Sequence, residues 1–278
     1  MRYQFKKFNM RQWTLIGVLI LLSAVLYINI HGYLISDANL QADFMQKNLP
    51  PSLTHIFGTD GQGRDMYLRT LKGLSISSGI SLLATLLALM ISGCLSLCLA
   101  VGGKWTDKVI TWLIDVFLSL PHMLFLILIS VAVGKGIQGV VLGLSLTHWT
   151  GLTRLIRAEI KHIKTQDYIT SSLSLGKSKY WIATHHILPH LMGQIFVAVI
   201  LLFPHAMLHE SSMSFLGFGL SLSTPAIGII LSEAMMYIQA GYWWLGFFPG
   251  LMLVVLMLMI FGIGNGIQKL LNPHTYHS

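Results

Sequence analysis

Charge is what this sequence has least of. Asp, Glu, Lys and Arg together make up 10% of its 278 residues, against 54% apolar, whereas a soluble domain carries about 25% charged residues. That scarcity excludes an ordinary water-facing globule, and a mean hydropathy of +0.69 points to a membrane. Cysteine is nearly absent as well. Cys94 and Cys98 stand four apart inside an apolar run, so both thiols share one helix face. That placement suits small packing residues, not a disulfide framework or a zinc knuckle. No Gly-x-x-x-x-Gly-Lys-Ser/Thr stretch occurs, which removes ATP hydrolysis by that route from the chain itself. His209-Glu210 opens the zinc-protease pattern, but Met213 stands where its second histidine belongs. No serine has a His or Lys partner that can be placed beside it. The chain is therefore expected not to be an enzyme, and to bind no cofactor.

What is present is a series of long apolar runs. A helix needs about 20 apolar residues to cross the hydrocarbon, and six spans fit, at roughly 13–35, 76–102, 109–133, 136–152, 191–208 and 243–266. The expected fold is an all-α polytopic bundle. Residues 1–30 share the charge pattern of a signal peptide, but the apolar stretch is too long and lacks a small-residue cleavage site. They read as an uncleaved first span. The net charge of +8 is dispersed between the runs rather than gathered into a patch, so nucleic acid is not an expected partner, while membrane lipid is.

The basic residues set the orientation. With the N-terminus inside, 13 Lys and Arg face the cytoplasm, at 2, 6, 7, 11, 104, 108, 154, 157, 161, 164, 177, 179 and 269. Five face outward: Lys47, Arg64, Arg69, Lys72 and Lys135. This is the positive-inside pattern, and six crossings place both termini in the cytoplasm. Segments 36–75 and 209–242 then lie outside, the latter as a possible re-entrant helix, and 153–190 lies inside. The chain divides into an N-terminal span with its extracytoplasmic segment (1–75) and a core permeation domain (76–278) containing the cytoplasmic loop 153–190. Gly139 and Gly143 form a small-xxx-small face for close helix approach, and Pro121, Pro204 and Pro249 each predict a kink or break.

In the cytoplasmic loop, Ile169, Leu173, Gly176 and Tyr180 recur at helical spacing, predicting a short amphipathic helix along the surface. Gly176 permits the left-handed conformation that ends a helix, and Pro189 marks the start of the next span. A short helix held between two spans is a mechanical handle.

These residues resemble the coupling loop of ABC-importer permeases, in which Glu-Ala-Ala is followed after three residues by Gly and later by Ile-x-Leu-Pro. Gly176, Ile187, Leu188 and Pro189 are kept, while Thr170-Ser171-Ser172 stands in place of Glu-Ala-Ala. Gly58-Thr59-Asp60-Gly61-Gln62-Gly63-Arg64-Asp65 and Met213-Ser214-Phe215-Leu216-Gly217-Phe218-Gly219 are similar to motifs of the dipeptide/oligopeptide/nickel permease family, C-type subunit. So are Asp115 with Pro121, and Arg154, Arg157, Glu159, Asp167 and Tyr168 on the approach to the loop. Ile227 departs from the tryptophan usual there. The matches follow the family's order from about residue 57 to 230.

The resemblance implies a type I ABC-importer permease in the bacterial inner membrane, forming half of a translocation pathway. Its implied partners are a second, homologous permease subunit (a heterodimer), two ATPase subunits that use ATP and magnesium, and an extracytoplasmic solute-binding protein. The ATPases would engage Asp167, Tyr168, Thr170, Ser171, Ser172, Gly176, Ile187, Leu188 and Pro189. A stand-alone channel or secondary carrier is the rival class, disfavoured because the spans offer little polar lining beyond Asp115.

Three sets of residues carry open alternatives. Asp115 favours pairing with a basic loop residue over a pathway role. Gly63, Arg64 and Asp65 could contact a delivery protein or simply build a turn with a surface ion pair. His205 and His209, spaced i,i+4 with Met207 and Met213 nearby, are reasonable ligands for soft or borderline metals, or else interfacial side chains. The His205-x-x-x-His209 pair, Met207-Leu208-His209 and Asn272-Pro273-His274 resemble the nickel branch. The expected cargo is therefore nickel or a small chelate, with di- or oligopeptides as the alternative; Glu210 resembles the wider peptide-transporting family.

Overall fold

The apolar runs fold as helices, the form in which a single segment satisfies its own backbone polar groups, as lipid requires. The computed structural model describes residues 10–271 and, among them, no strand beyond an isolated bridge between Thr59 and Asp65. Arg2, Lys6 and Lys7, and the Asn272-Pro273-His274 stretch, lie outside the described residues. The helices are α1 (Met10–Leu34), α2 (Met66–Val101), α3 (Lys104–Leu118), α4 (His122–Val133), α5 (Ile137–Lys164), α6 (Asp167–Ser174), α7 (Lys179–Ile182), α8 (Leu188–Phe215), α9 (Ile227–Ile238) and α10 (Trp244–Leu271). The protein is all-α and polytopic. Four of these segments, α1, α2, Lys179–Phe215 and α10, are long and apolar enough to cross a membrane, or five with α3 and α4 counted as one bent span.

Several expected boundaries move. The third span is not one helix: α3 and α4 meet at 91°. Pro121 is the hinge, because its extended ψ of 120° at the N-cap of α4 redirects the chain. Pro204 and Pro249 instead remain inside unbroken helices. The helix at the expected fourth span, α5, continues past Leu152 to Lys164, with Ile156, Ile160 and Ile163 buried on one face of its charged half. α8 also outruns its expected end, carrying residues 209–215 that were assigned to an outer loop. The division at 75/76 falls inside α2, which begins at Met66 with the Asp65 carboxylate accepting the Tyr67 and Leu68 amides at 2.9 and 3.1 Å.

Lipid offers no hydrophobic drive between helices, so close backbone approach carries the packing. α5 lies against α4 through Gly139 and Gly143; a Cβ at 143 would stand 3.2 Å from the Leu126 carbonyl oxygen. On α10, Gly262 and Gly266 admit Leu21 and Val18 of α1, while Gly264 admits Leu201 of α8. The stretch after α8 docks on the α4–α5 turn, where the Gly136 amide donates to Gly219 O at 3.1 Å and Ser130 Oγ to Phe218 O at 3.2 Å.

Candidate functional site

Three polar constellations stand out from this apolar frame. The first is the loop between α5 and α8. α6 is anchored by Ile169, 2% exposed, which packs with Ile160, Ile163, Ile182 and Ile187. The helix ends where φ turns to +79° at Gly176. There the Gly176 amide donates to Leu173 O and the Lys177 amide to Ser172 O, at 3.0 and 3.1 Å. This pair of bonds is a Schellman closure. The expected single helix through Tyr180 is thus two: Ser178 starts α7 by accepting the Trp181 amide at 3.1 Å.

Pro189 stands in the first turn of α8, as expected, but no break precedes it. The helix runs through it from Lys179 to Phe215, because residues Ala183–Ile187 widen into a π turn in which the Leu188 amide reaches Ala183 O. A wider turn accommodates a proline that can neither donate nor close up on the preceding carbonyl. Asp167, Tyr168, Thr170, Ser171 and Gly176 are exposed, Ser172 is half-buried against His186 Nε2 at 3.1 Å, and Ile187 is buried. Tyr168, Leu173, Leu175 and Tyr180 leave apolar surface uncovered at this end, the kind of patch that marks a docking face.

Beneath the loop, Arg157 donates to both oxygens of Asp107, at 2.6 and 2.9 Å, with Lys161 at 3.1 Å. Lys164 Nζ donates to Leu99 O at 2.8 Å. Asp115 faces Arg154 at 3.4 Å, both well exposed.

The second constellation is at the opposite end of the bundle. Asp60 accepts the Gln62 and Arg64 amides at 2.8 and 3.0 Å, Arg64 Nε at 2.7 Å and Arg69 Nη1 at 2.9 Å. Arg69, 3% exposed, reaches on to Glu233 of α9 at 2.5 Å. Gly63 sits at φ +77°, pressed on the Asp43 carbonyl, and is buried; Asp65 caps α2 and meets His55 Nδ1 at 2.8 Å. Gly63, Arg64 and Asp65 therefore build the turn, and Gln62 is its exposed member. Arg69 and Glu233 escaped the sequence reading because their contact crosses 164 residues.

The third is formed by His122, His148 and His209, from α4, α5 and α8. One ring nitrogen of each lies within 4.8 Å of those of the other two. Of the expected candidates, only His209 enters this group. His205 is exposed one turn away with its ring edge on Phe261 at 5.7 Å. Met207 and Met213 are fully buried, the first beside Ser78 Oγ at 3.9 Å and the second in the core around Leu126, Val140 and Ile229. His122 and His148 were not singled out from sequence, although a lone imidazole in an apolar span is itself a signal. Next to His209, Glu210 is wholly buried and accepts Ser214 Oγ at 2.9 Å and Ser211 Oγ at 3.3 Å.

Residues 84–276 match the family model described as the binding-protein-dependent transport system inner membrane component. The chain is 30% identical over 269 residues to the dipeptide transport system permease protein of Bacillus subtilis, covering 97% of this chain and 84% of that one. It is 30% identical over 259 residues to the oligopeptide transport system permease protein of the same organism, covering 93% and 83%. The dipeptide transport system permease protein of Alkalihalophilus pseudofirmus is 28% identical over 272 residues, covering 98% and 89%.

Proposed function

The chain belongs to the family of binding-protein-dependent transport system inner membrane components, as a multi-pass permease subunit of an ABC importer, and from that premise we propose that it carries di- or oligopeptides. The observation that supports this cargo is the likeness, over more than nine-tenths of the chain, to two permeases named for dipeptides and oligopeptides. Nickel, favoured by the histidine spacing, has no such support: Met207 and Met213 turn into the core, and Asn272-Pro273-His274 lies outside the described residues.

On this reading the chain lines half of the pathway and a homologous permease lines the other half. Two ATPases, using ATP and magnesium, dock on the apolar surface of Tyr168, Leu173, Leu175 and Tyr180. When they close, they push α6; Ile169 passes the displacement to the core shared with α3, α5 and α8. A binding protein delivers cargo at the end carrying residues 43–65. Uptake of a labelled dipeptide and of nickel-63, in cells with and without the gene, tests the cargo. Dipeptide uptake is expected to fall to background on deletion. Loss of nickel uptake with dipeptide uptake unchanged would overturn the peptide reading.

The α6 end is proposed to face the cytoplasm, from the distribution of basic residues. With Cys94 and Cys98 replaced by Ser, single cysteines at the fully exposed Leu53 and the exposed Leu175 report the two sides. In vesicles made without the ATPases, an impermeant thiol reagent is expected to label Leu53→Cys only from outside and Leu175→Cys only from inside. Labelling of both from one side refutes the arrangement.

A further inference from the structure

The geometry points to a binding site for one divalent transition-metal cation, held by His122, His148 and His209 where the α3–α4 bend meets α5 and α8. Three imidazoles from three helices converge, with one nitrogen of each inside a common 4.8 Å limit. Their ring centroids are 4.6–5.4 Å apart. Convergence from separate helices is not enforced by local sequence, as an i,i+4 pair on one helix is. It is a tertiary arrangement, and packing alone does not require three polar rings to meet in an apolar bundle.

The hydrogen bonds around the rings carry the inference further. His148, 7% exposed, has Nδ1 at 2.9 Å from Leu144 O. A carbonyl only accepts, so Nδ1 holds the proton and Nε2 keeps its lone pair free. His209 Nδ1 lies 3.0 Å from the thioether of Met123, which orients that ring in the same manner. His122 supplies an independent observation: its Nε2 is buried and has no hydrogen-bond partner among the described residues. An orphaned buried polar atom is destabilising, and a cation beside it would remove that cost. Fixing a ligand's tautomer through its other nitrogen is what partners outside the coordination shell do at metal sites.

Ligand chemistry selects the ion. Imidazole suits zinc, copper, nickel and cobalt, whereas magnesium and calcium prefer carboxylate and carbonyl oxygen. Among the described residues no carboxylate joins the group, which turns the preference away from the hard cations. His205 is not a member. The site stands on its own geometry and does not depend on the peptide cargo; an ion here would tie α4, α5 and α8 together in one conformation of the permease.

The test uses the full chain, co-purified with its partner subunits but without a binding protein, stripped with a chelator and dialysed against zinc or nickel. Bound metal is then counted by atomic emission. One ion per chain is expected above that of the His148→Ala complex, with no magnesium taken up under the same conditions. His122→Gln and His209→Gln, at half-buried positions, are each expected to weaken binding by at least the roughly 10–100-fold that loss of a partner outside the coordination shell costs, while the complex elutes unchanged on gel filtration. His205→Ala is expected to bind as the parent does. Equal metal content in the parent and all three ligand variants would overturn the site. Loss of binding in His205→Ala alone would overturn this ligand set in favour of the i,i+4 pair. A failure of the dipeptide uptake experiment would leave these outcomes untouched, so the two readings fail separately.

Discussion

Asp60→Ala is expected to destabilise the protein by about 3–5 kcal/mol, the usual cost of removing one partner from a buried ion pair. Asp60 is 5% exposed and takes four donors: two turn amides and two guanidinium groups. Without it Arg69, 3% exposed, is left with Glu233 as its one counter-ion among the described residues, and the turn from 60 to 65 that positions the α2 cap loses its centre. A buried pair need not outperform an apolar replacement of the same shape, but stranding one member is costly. Asp115→Ala is the matched control. Its pair with Arg154 is 3.4 Å long and 60% exposed on both sides, a class worth about 0–1 kcal/mol. Thermal unfolding of the two variants in the same detergent, together with their steady-state level in the membrane, makes the comparison. A loss for Asp60→Ala no larger than for Asp115→Ala would contradict the buried network.

The contrast between those carboxylates shows what the sequence makes legible. α1 and α10 could be read directly, since long apolar runs with few charges have no alternative in a membrane. The α6 terminus was marked locally by Gly176, which takes a left-handed position, although the apolar spacing ran on to Tyr180. α5 was cut short for a specific reason. Its charged half reads as a loop by composition, and the buried Ile156, Ile160 and Ile163 become decisive only once α6 and α8 pack over them. Pro121 announced a disturbance but not its size; whether a proline bends or breaks a helix depends on what the neighbours tolerate, and Pro204 is carried inside α8. The polar sites were least legible. Arg69 and Glu233 are 164 residues apart, and His122 and His209 are joined only by the way α4 folds back after its 91° bend. Spacing along one helix suggested His205 with His209; packing across three helices chose His122 and His148 instead.

The largest expected effect on transport falls on the α6–α7 loop. Gly176→Val is expected to reduce uptake to background while the chain remains in the membrane at normal level. Gly176 sits at φ +79°, and among the described residues nothing beyond its chain neighbours lies within 4 Å of where its Cβ would be. Steric crowding is therefore absent, and any penalty comes from the backbone alone. A β-branched residue is strongly disfavoured at positive φ, so Val forces the chain out of the closure made by the Gly176 and Lys177 amides. The end of α6 then unwinds, and Leu173, Leu175 and Tyr180 lose their fixed relation to one another. Helices α5 and α8 are untouched, so the membrane-embedded fold is expected to survive. A graded series separates conformation from side-chain chemistry. Asn enters the left-handed region more readily than other non-glycine residues, so uptake is expected to fall in the order Gly, Asn, Ala, Val. Deletion of 170–179 should abolish uptake and ATPase co-purification together, whereas Gly176→Asn should retain both. Uptake as high in Gly176→Val as in the parent would show that this loop does not couple ATP to transport. An Asn variant as inactive as the Val variant would show that backbone conformation at 176 is not what the coupling requires.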